Sequence, residues 1–438
     1  MAVVTTLVFG LVPALRSLRV NLVESLREGS QNATIGGRRQ RFRSTLVAAE
    51  VALAVVLVVG AGLMIRSLSA LGRIDLGFNP EHVLTMRVAI PAARYATPAQ
   101  VVGFYRQLME RVRAIPGVDH AGVVRVLPLA TTIGDYGLDV DGYDPPPGTN
   151  AKGDWQIVSD DAFEAMGTRL VRGRWFGATD TSDSAPVVVV NETMARTYWR
   201  DGNAVGGRVG LGGANSSNPY LTVVGIVADE RHNGVTGIVK EKFYVPHSQW
   251  HIATGGNLIR NVFVVVRTTG EPMSVAGAVR AAVRQMDPSL PVANVRSMAD
   301  VVATSLATPR LTGFLLGAFA AIALALAAVG IYGVLAYLVS QRTQEIGIRL
   351  AIGADGSQVM RMILRQGMTL AVVGIVVGTA AAFLLTGLMR TLLYEVTPSD
   401  PVTFVVVPAV LLVVTLVASY LPAWRATKVS PLVALRTQ

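Results

Sequence analysis

The sequence predicts a membrane protein, built from an α-helical transmembrane bundle and a large mixed α/β domain outside the membrane. Of its 438 residues, 51% are hydrophobic and only 16% are charged, whereas a soluble domain is about 25% charged. Four long apolar segments account for the hydrophobic excess, and the basic residues in excess lie in short segments beside them. We therefore expect four membrane spans and part of a fifth at the N-terminus.

Each of the four segments has about 20 residues or more, enough to cross about 30 Å of hydrocarbon as a helix. The first contains one charged residue, Glu50, and the other three contain none. An earlier apolar stretch, Ala2–Leu15, is too short to cross alone and is predicted to be the end of a preceding span. The four predicted spans are Leu46–Ile65, Leu311–Val339, Gly367–Met389 and Val402–Ala423.

The distribution of charge predicts the orientation of the spans. Three segments, Arg16–Arg43, Ser340–Gln366 and Arg425–Gln438, hold 14 basic and 4 acidic residues, which is the entire net charge of +10. Basic residues beside spans mark the cytoplasmic side. The order of the spans independently puts these segments on one side and residues 67–308 on the other. The basic excess is thus explained by topology, and we do not expect a nucleic-acid partner.

The outer segment carries strand and helix signals in a repeated order. Two β-α-β patterns occur near its ends, which predicts a paired α/β subdomain. Between them, Ala185–Val190 and Tyr220–Val227 are predicted as buried strands, Gly206–Gly213 as a glycine-rich turn and Asp144–Asn150 as a loop. The two patterns are Val83–Ile90, Pro98–Ala114 and Val118–Val126, and then Val262–Arg267, Ser274–Met286 and Leu290–Val295.

A short internal repeat links the two ends of the chain. Pro13–Arg27 aligns with Pro422–Arg436, with identical Pro, Ala, Arg, Val, Leu and Arg positions. We interpret residues 1–29 as the end of a preceding copy of the same unit. Independent convergence on a basic amphipathic tail is the alternative.

Signals for an active site are weak throughout the sequence. It contains no cysteine, no phosphate-binding Gly-x4-Gly-Lys-Ser/Thr motif and no hydrolase or metalloprotease motif. His247 and His251 could share a helix face, but no third ligand is nearby, so we predict no metal site. Glu50 is a candidate intramembrane functional residue, with an interfacial carboxylate as the equal alternative. Four tryptophans of the outer segment, Trp155, Trp175, Trp199 and Trp250, are interpreted as core or rim residues.

Three stretches carry a resemblance to a known family. Phe163–Phe176, followed by Val187–Trp199 and Val223–Val227, is similar to the periplasmic core domain of MacB/FtsX-type ABC transporter permeases. Arg342-Thr-Gln-Glu-Ile-Gly-Ile-Arg-Leu-Ala-Ile-Gly-Ala354 resembles the loop that follows the first span of the FtsX unit in that family, and Pro422–Arg436 resembles its cytoplasmic tail. With the repeat, the chain most resembles the C-terminal copy of a duplicated, macrolide-exporter-like permease.

The resemblance implies four parts: residues 1–43 as the end of a preceding copy, residues 44–66 as a span, residues 67–308 as a periplasmic core domain, and residues 309–438 as an FtsX-like domain. It implies a multi-pass protein of the bacterial inner membrane without enzymatic activity of its own. ATP and Mg²⁺ would bind to a separate cytoplasmic ABC ATPase, whose hydrolysis drives export. The resemblance implies this ATPase and the lipid bilayer as partners. It also implies a second permease copy or a homodimer, and a periplasmic adaptor.

The resemblance also implies which residues receive the motion of the ATPase. From residue types alone, the loop 340–366 reads as an amphipathic helix, a break at Gly353-Ala-Asp355 and a second helix; an interfacial loop with snorkelling arginines is the alternative. The family points to coupling instead. The implied coupling residues are Arg342, Glu345, Gly347, Arg349, Gly353 and Ala354 in the loop, and Pro422, Arg425, Lys428 and Arg436 in the tail.

Two other functions compete with export. The first is an FtsX-like mechanotransmitter that regulates a periplasmic cell-wall hydrolase; about 240 residues outside the membrane favour the exporter branch over it. The second is a membrane-anchored periplasmic enzyme, which lacks any catalytic set of residues in the sequence.

Overall fold

The structure is a computed structural model that describes residues 32–199, 201–213, 216–353, 355–390 and 393–428, with side chains from residue 41 onward. Three sequence predictions lie outside these residues: the N-terminal partial span with its repeat, Ala354 and Arg436. The described residues form two compact units. The membrane unit lies within Met1–Ser67 and Thr312–Gln438, and the outer unit is Leu68–Leu311.

Eleven α-helices occur among the described residues. Four of them are long and apolar enough to cross a membrane. Two short 3₁₀ turns, Pro272–Val275 and Thr386–Met389, accompany them. The helices are α1 (Asn32–Leu71), α2 (Pro98–Arg113), α3 (Ala162–Met166), α4 (Glu192–Tyr198), α5 (Trp250–Ala253), α6 (Ala276–Met286), α7 (Met298–Ser305), α8 (Ala307–Gln341), α9 (Thr343–Ala351), α10 (Gly356–Leu385) and α11 (Pro401–Thr427).

The membrane unit confirms the four predicted spans, which lie in α1, α8, α10 and α11. Small and branched side chains from all four helices meet in one core that includes Val51, Leu335, Ala371 and Leu411. Large apolar side chains such as Phe314 remain on the outside. That distribution is typical of a bundle whose solvent is lipid, because an apolar surface costs nothing there.

Eleven strands form the sheet of the outer unit, and they connect in the order β11-β1-β10-β2-β4-β3-β7-β8-β6-β9, with β5 beside β8. The strands are β1 (Val83–Ala89), β2 (Val118–Val124), β3 (Asp135–Val140), β4 (Lys152–Val158), β5 (Leu170–Gly173), β6 (Val187–Asn191), β7 (Arg208–Leu211), β8 (Tyr220–Val227), β9 (Lys242–Pro246), β10 (Asn261–Thr268) and β11 (Val292–Ser297).

The two predicted β-α-β patterns pair with each other, as expected. Strands β11, β1, β10 and β2 lie side by side and are antiparallel throughout. With α2 and α6, their order is that of the ferredoxin-like β-α-β-β-α-β motif. Leu84, Met86 and Val88 of β1 share a core with α2 and α6, whereas Val83 belongs to a second core on the other face of the sheet. The face of Val83 also carries Thr85, which is buried, and Arg87, which is exposed, so only the face toward α2 and α6 is wholly apolar.

A closed ring of six strands makes up the rest of the outer sheet. Strand β4 pairs with β3, β3 with β7, β7 with β8, β8 with β6, β6 with β9, and β9 again with β4. The inside of this ring is filled by apolar side chains that include Ile157, Val190 and Phe243. Closure leaves no free strand edge in the ring.

Two predictions for the outer segment need correction. Gly206–Gly213 is more than a turn, because Arg208–Leu211 inside it forms β7 and pairs with both β3 and β8. His247 and His251 share no helix face, because α5 begins at Trp250 and His247 precedes it. The predictions for the tryptophans hold: Trp250 is buried and stacks on Trp155, and Trp175 stacks on Phe163.

Candidate functional site

The candidate coupling loop, residues 340–366, contains a short helix with two different faces. Helix α9 buries Ile346 and Gly347, and Ile346 belongs to the core of the membrane unit. Glu345, Ile348 and Arg349 lie on exposed positions of the same helix. The inner face of α9 is therefore packed into the core of the membrane unit, and its other face lies outside that core.

The break between α9 and α10 is a turn that only particular residues can make. Gly353 has a φ angle of +97°, a left-handed conformation that costs glycine little and other residues more. Asp355 then caps the N-terminus of α10, and its side chain accepts a hydrogen bond from the backbone N–H of Ser357. The predicted order of helix, break and helix is thus present.

An ion pair links two of the predicted coupling residues. The Arg349 guanidinium lies 2.5 Å from the Glu345 carboxylate, one turn away on α9, and also contacts the sulfur of Met362 on α10 at 3.3 Å. Both charged side chains are about half exposed. An exposed pair of this kind contributes little to stability, which leaves both groups available to a partner.

Two exposed isoleucines, which sequence reasoning missed as site residues, lie on α9 and directly after it: Ile348 is in the helix, and Ile352 follows its last residue, Ala351. Ile348 and Ile352 are one turn apart, and Ile352 is 81% exposed. Their spacing of four, out of phase with the buried Ile346, was the signal in the sequence that could have revealed them. We call Ile348, Ile352, Glu345 and Arg349 the coupling face. Exposed apolar side chains flanked by charges are typical of a protein-binding surface.

Three of the predicted tail residues lie at the end of α11. Pro422 is buried inside the helix. Arg425 donates a hydrogen bond of 2.9 Å to the hydroxyl of Tyr332 on α8, and the Lys428 ammonium lies 3.8 Å from the centre of the Trp424 ring. The structure places Gly356, the first residue of α10, against Thr427. The end of α11 therefore meets the start of α10, which is part of the candidate coupling loop.

Glu50 lies apart from the coupling residues, on the side of α1 that faces α8. Its carboxylate rests against Gly330, where a Cβ atom would collide with it. Two turns earlier on α1, the Arg43 guanidinium lies 4.2 Å from the ring centre of Tyr337. Within the described part of the chain, Glu50 forms no ion pair. The glycine gives this carboxylate room beside the neighbouring helix.

The outer unit contains a cleft of about 480 Å³ between α2 and the segment 177–183. Val102, Tyr105 and Met109 supply an apolar wall, and His247 also lines the cleft. At its edge, Arg113 forms ion pairs with Asp160 and Asp161 at 3.1 and 2.7 Å. The volume is in the range of small-molecule sites.

A buried polar network, which sequence reasoning also missed, lies where β9 meets the segment after β8. The Lys242 ammonium is 2.8 Å from the Glu230 carboxylate and 3.2 Å from Nδ1 of His232. Thr168 and Tyr244 donate further hydrogen bonds to Glu230 at 2.6 and 2.8 Å. No local pattern marks these residues, because they come together only when the strands pair.

The charges in this network depend on one another. Burial by itself would raise the pKa of Glu230, but Lys242 and the hydrogen bonds lower that pKa below its usual value. Burial, followed by the Lys242 and Arg125 cations, lowers the pKa of His232 well below its usual value. The histidine is therefore neutral. Its Nδ1 accepts from Lys242, which assigns the proton to Nε2.

Metal binding has no support in the described ranges. They contain no group of three or more His, Asp or Glu side chains that could hold an ion. His247 donates from Nε2 to the carbonyl oxygen of Ile259 at 3.1 Å, and its ring packs edge-on against Tyr105. It is a packed core residue at the floor of the cleft.

The fold defines a polytopic membrane protein with four candidate spans and a large mixed α/β domain. Family models match both parts. The model of the MacB-like periplasmic core domain matches residues 44–285, and the model of the FtsX-like permease C-terminal domain matches residues 317–431. The chain therefore belongs to the MacB/FtsX family of ABC transporter permeases.

Curated relatives show the same likeness. The chain is 28% identical over 280 residues to the macrolide export ATP-binding/permease protein MacB of Chromobacterium violaceum, covering 64% of the chain and 42% of that protein. It is 26% identical over 438 residues to the protein of that name from Azoarcus sp., covering 96% of the chain and 61% of that protein. The pyoverdine export ATP-binding/permease protein PvdT of Pseudomonas putida is 26% identical, with 61% of the chain and 40% of that protein covered.

Solved structures give a weaker likeness. The periplasmic region of MacB from Actinobacillus actinomycetemcomitans matches with 13% identity and a TM-score of 0.36, over 54% of this chain and 97% of that structure. The chain spans about half the length of the curated relatives that it matches. The export functions in these names are those of the relatives themselves.

Proposed function

We propose that this chain is the permease subunit of an ABC transporter in the bacterial inner membrane. In this proposal, a cytoplasmic ATPase subunit hydrolyses ATP, the coupling face receives its motion, and the periplasmic domain changes conformation to extrude substrate. Residues 67–308 would be the periplasmic core domain and residues 309–438 the FtsX-like domain. Residues 1–43 would be the end of a preceding copy, and residues 44–66 would be the first span.

The observation that carries the proposal is the two-faced helix α9. Its inner face is part of the bundle core, and its outer face presents Ile348 beside Glu345 and Arg349. Ile352, directly after the helix, is exposed as well. Ile352 is 81% exposed, so the described part of this chain does not itself cover the side chain. A groove on a partner protein would cover that side chain.

Two further observations support an ATPase partner. The sequence contains no Gly-x4-Gly-Lys-Ser/Thr motif, so these residues do not supply a nucleotide site of that type. The matched relatives are named ATP-binding/permease proteins, which supports ATP hydrolysis in the same transport system. The hydrolase-regulator alternative has no observation in its favour, since these relatives are named for export.

The test replaces Ile352 with glutamate in the full chain, which is purified with the ATPase that it retains from its host and reconstituted into liposomes. Complete burial of an isoleucine side chain contributes about 1.5–3 kcal/mol, and a glutamate in its place would also bring an unpaired charge into the contact. We therefore expect the affinity for the ATPase to fall roughly tenfold or more, with stimulated ATP hydrolysis falling accordingly.

Ile238→Glu is the matched control. Ile238 is an isoleucine of the outer unit that is 89% exposed, so the same substitution adds the same charge elsewhere. We expect this variant to bind and stimulate the ATPase as the unsubstituted chain does. Equal activity of the Ile352→Glu variant and the control would contradict the coupling role of α9, and failure of the unsubstituted chain to retain any ATPase would contradict the proposed function.

A further inference from the structure

The outer ends of α1 and α11 are joined by a charged contact. The Arg66 guanidinium donates to the Asp400 carboxylate at the start of α11. The Asp400 side chain is 11% exposed and also accepts from the backbone N–H and the hydroxyl of Thr403, at 2.8 and 2.7 Å. Asp400 therefore does two things at once: it caps α11 and holds Arg66.

Two neighbouring contacts fix the same end of α1. Ser67 is fully buried, and its hydroxyl accepts a hydrogen bond of 2.8 Å from the backbone N–H of Tyr394. One turn earlier, a Cβ atom at Gly62 would lie 3.1 Å from a methyl group of Thr403. The two segments thus approach closely where the ion pair forms, and the pair adds a charged contact to a junction that is already closely packed.

This contact differs from the other ion pair of the membrane unit. Among the described residues of that unit, Glu345–Arg349 lies within one helix, whereas Arg66–Asp400 joins two spans that are 334 residues apart in sequence. Lower in the bundle, α1 packs against α10 through small and apolar groups, with Gly374 against Ala48 and Val51. Those contacts hold the helices together without fixing any hydrogen-bond geometry, whereas a carboxylate that accepts several hydrogen bonds has one preferred geometry.

We propose that Arg66 and Asp400 form a latch that makes the outer ends of the first and last spans move as one body. The inference rests on the proposed function, because it gives that motion a route: displacement of α11 is passed to α1 by the latch. Helix α1 is unbroken from Asn32 to Leu71, so a displacement at Arg66 is carried along it without a hinge. Arg66 and Asp400 are positioning residues in this mechanism.

The first experiment measures the latch directly, without an ATPase. The chain has no cysteine, so Ile65→Cys and Val405→Cys place two spin labels on exposed positions of α1 and α11. In liposomes, we expect a narrow distribution of distances between the labels. Asp400→Asn keeps an N-cap side chain and removes the charge. This variant and Arg66→Gln should broaden the distribution, and Arg66→Lys should largely preserve it.

Arg390→Gln is the control, since Arg390 is an exposed arginine of the membrane unit that forms no ion pair within the described residues. It removes the same charge and should leave the distribution narrow. Unchanged distances in both Asp400→Asn and Arg66→Gln would overturn the latch.

The second experiment asks whether the latch transmits motion. Each variant is reconstituted with the ATPase retained by the unsubstituted chain, and ATP hydrolysis is measured per folded permease. We expect stimulation to fall at least severalfold in Asp400→Asn and Arg66→Gln, and to be retained in Arg66→Lys and Arg390→Gln.

The outcomes separate the two proposals. If the unsubstituted chain stimulates hydrolysis and Asp400→Asn stimulates it equally despite broadened distances, the pair is merely structural and the latch is overturned. If Asp400→Asn only lowers the melting temperature in detergent, with stimulation per folded molecule unchanged, the latch is overturned as well. If the unsubstituted chain gives no stimulation, the proposed function fails, and the distance measurement still decides whether the two helix ends are held together.

Discussion

At the scale of single residues, the outer domain keeps several ionisable side chains neutral or paired by burying them. Burial lowers the pKa of His247 from its usual value to about 4 and lowers the pKa of His251 as well. Burial, followed by the positive charges of Lys242 and Arg125, lowers the pKa of His232. Three buried or half-buried histidines that resist protonation make the domain sensitive to acid.

This sensitivity predicts a pH dependence of stability. Unfolded histidine takes up a proton near pH 6.5, whereas folded His247 does so only near pH 4, so the unfolded state binds more protons in that window. The folded state therefore loses stability as the pH falls from about 6.5 to about 4, by about 3 kcal/mol for this residue. The melting temperature of the full chain in detergent, measured between pH 7.5 and 4.5, should fall accordingly.

His247→Gln provides the control, because glutamine cannot titrate and can still bond to the Ile259 carbonyl oxygen. Whatever its melting temperature at pH 7.5, its decrease toward pH 4.5 should be smaller than that of the unsubstituted chain. The decrease should persist in part, since His232 and His251 remain. Parallel curves for the two proteins would show that His247 is protonated equally in both states.

At the scale of elements, the membrane helices pack through glycine. Gly374 and Gly378 form a Gly-xxx-Gly pair on α10, and a Cβ atom at either would lie 2.7 Å from a backbone oxygen of α1, that of Ala48 or Ala52. The two backbones are therefore in contact. In lipid, where no hydrophobic effect drives helices together, such close van der Waals contact is what holds them.

We expect Gly378→Val to separate α1 from α10, because the two added γ-carbons have no space. Overpacking of this kind costs about 1–3 kcal/mol. The melting temperature in detergent and the protease resistance of the span should both decrease. Gly333→Val on α8 is the matched control, since a Cβ atom there meets nothing within 4 Å; equal losses in the two variants would rule out packing as the cause.

At the scale of the whole molecule, charge distribution and chain order predict which parts face the cytoplasm. The three segments that hold the whole net charge of +10 alternate with the spans so that all fall on one side. The coupling face belongs to one of these segments. The outer domain, which matches the MacB-like periplasmic core domain, follows the first span on the other side.

Labelling of single cysteines tests this arrangement, since the chain has none of its own. Ile238→Cys and Ile352→Cys introduce thiols at two well-exposed positions. In spheroplasts, a membrane-impermeant maleimide should label the first variant and should label the second only after lysis. Labelling of both variants before lysis would contradict the orientation, and with it the assignment of α9 to the ATPase side.

Much of the fold could be predicted because its signals are local. The spans follow from runs of apolar residues, and the strands β1, β8 and β10 and the helix α2 follow from periodicity within each segment. The turn at Gly353 follows from residue type, since a positive φ angle favours glycine. The candidate coupling residues follow from a resemblance in one contiguous stretch. Ile348 and Ile352 are out of phase with Ile346 in sequence, but only packing against the spans decides which of these isoleucines is buried.

By itself, the sequence determined that this protein crosses a membrane and where its membrane-spanning helices and six of its strands lie. It also predicts which segments face the cytoplasm. Hydrophobicity and charge act through the solvent, so their effect can be read from the chain alone. Only the tertiary structure decided that β4 closes a ring with β9, that Lys242 neutralises Glu230, and that Arg66 meets Asp400. Those contacts join residues far apart in the chain, and pairing between distant segments depends on their geometry in space.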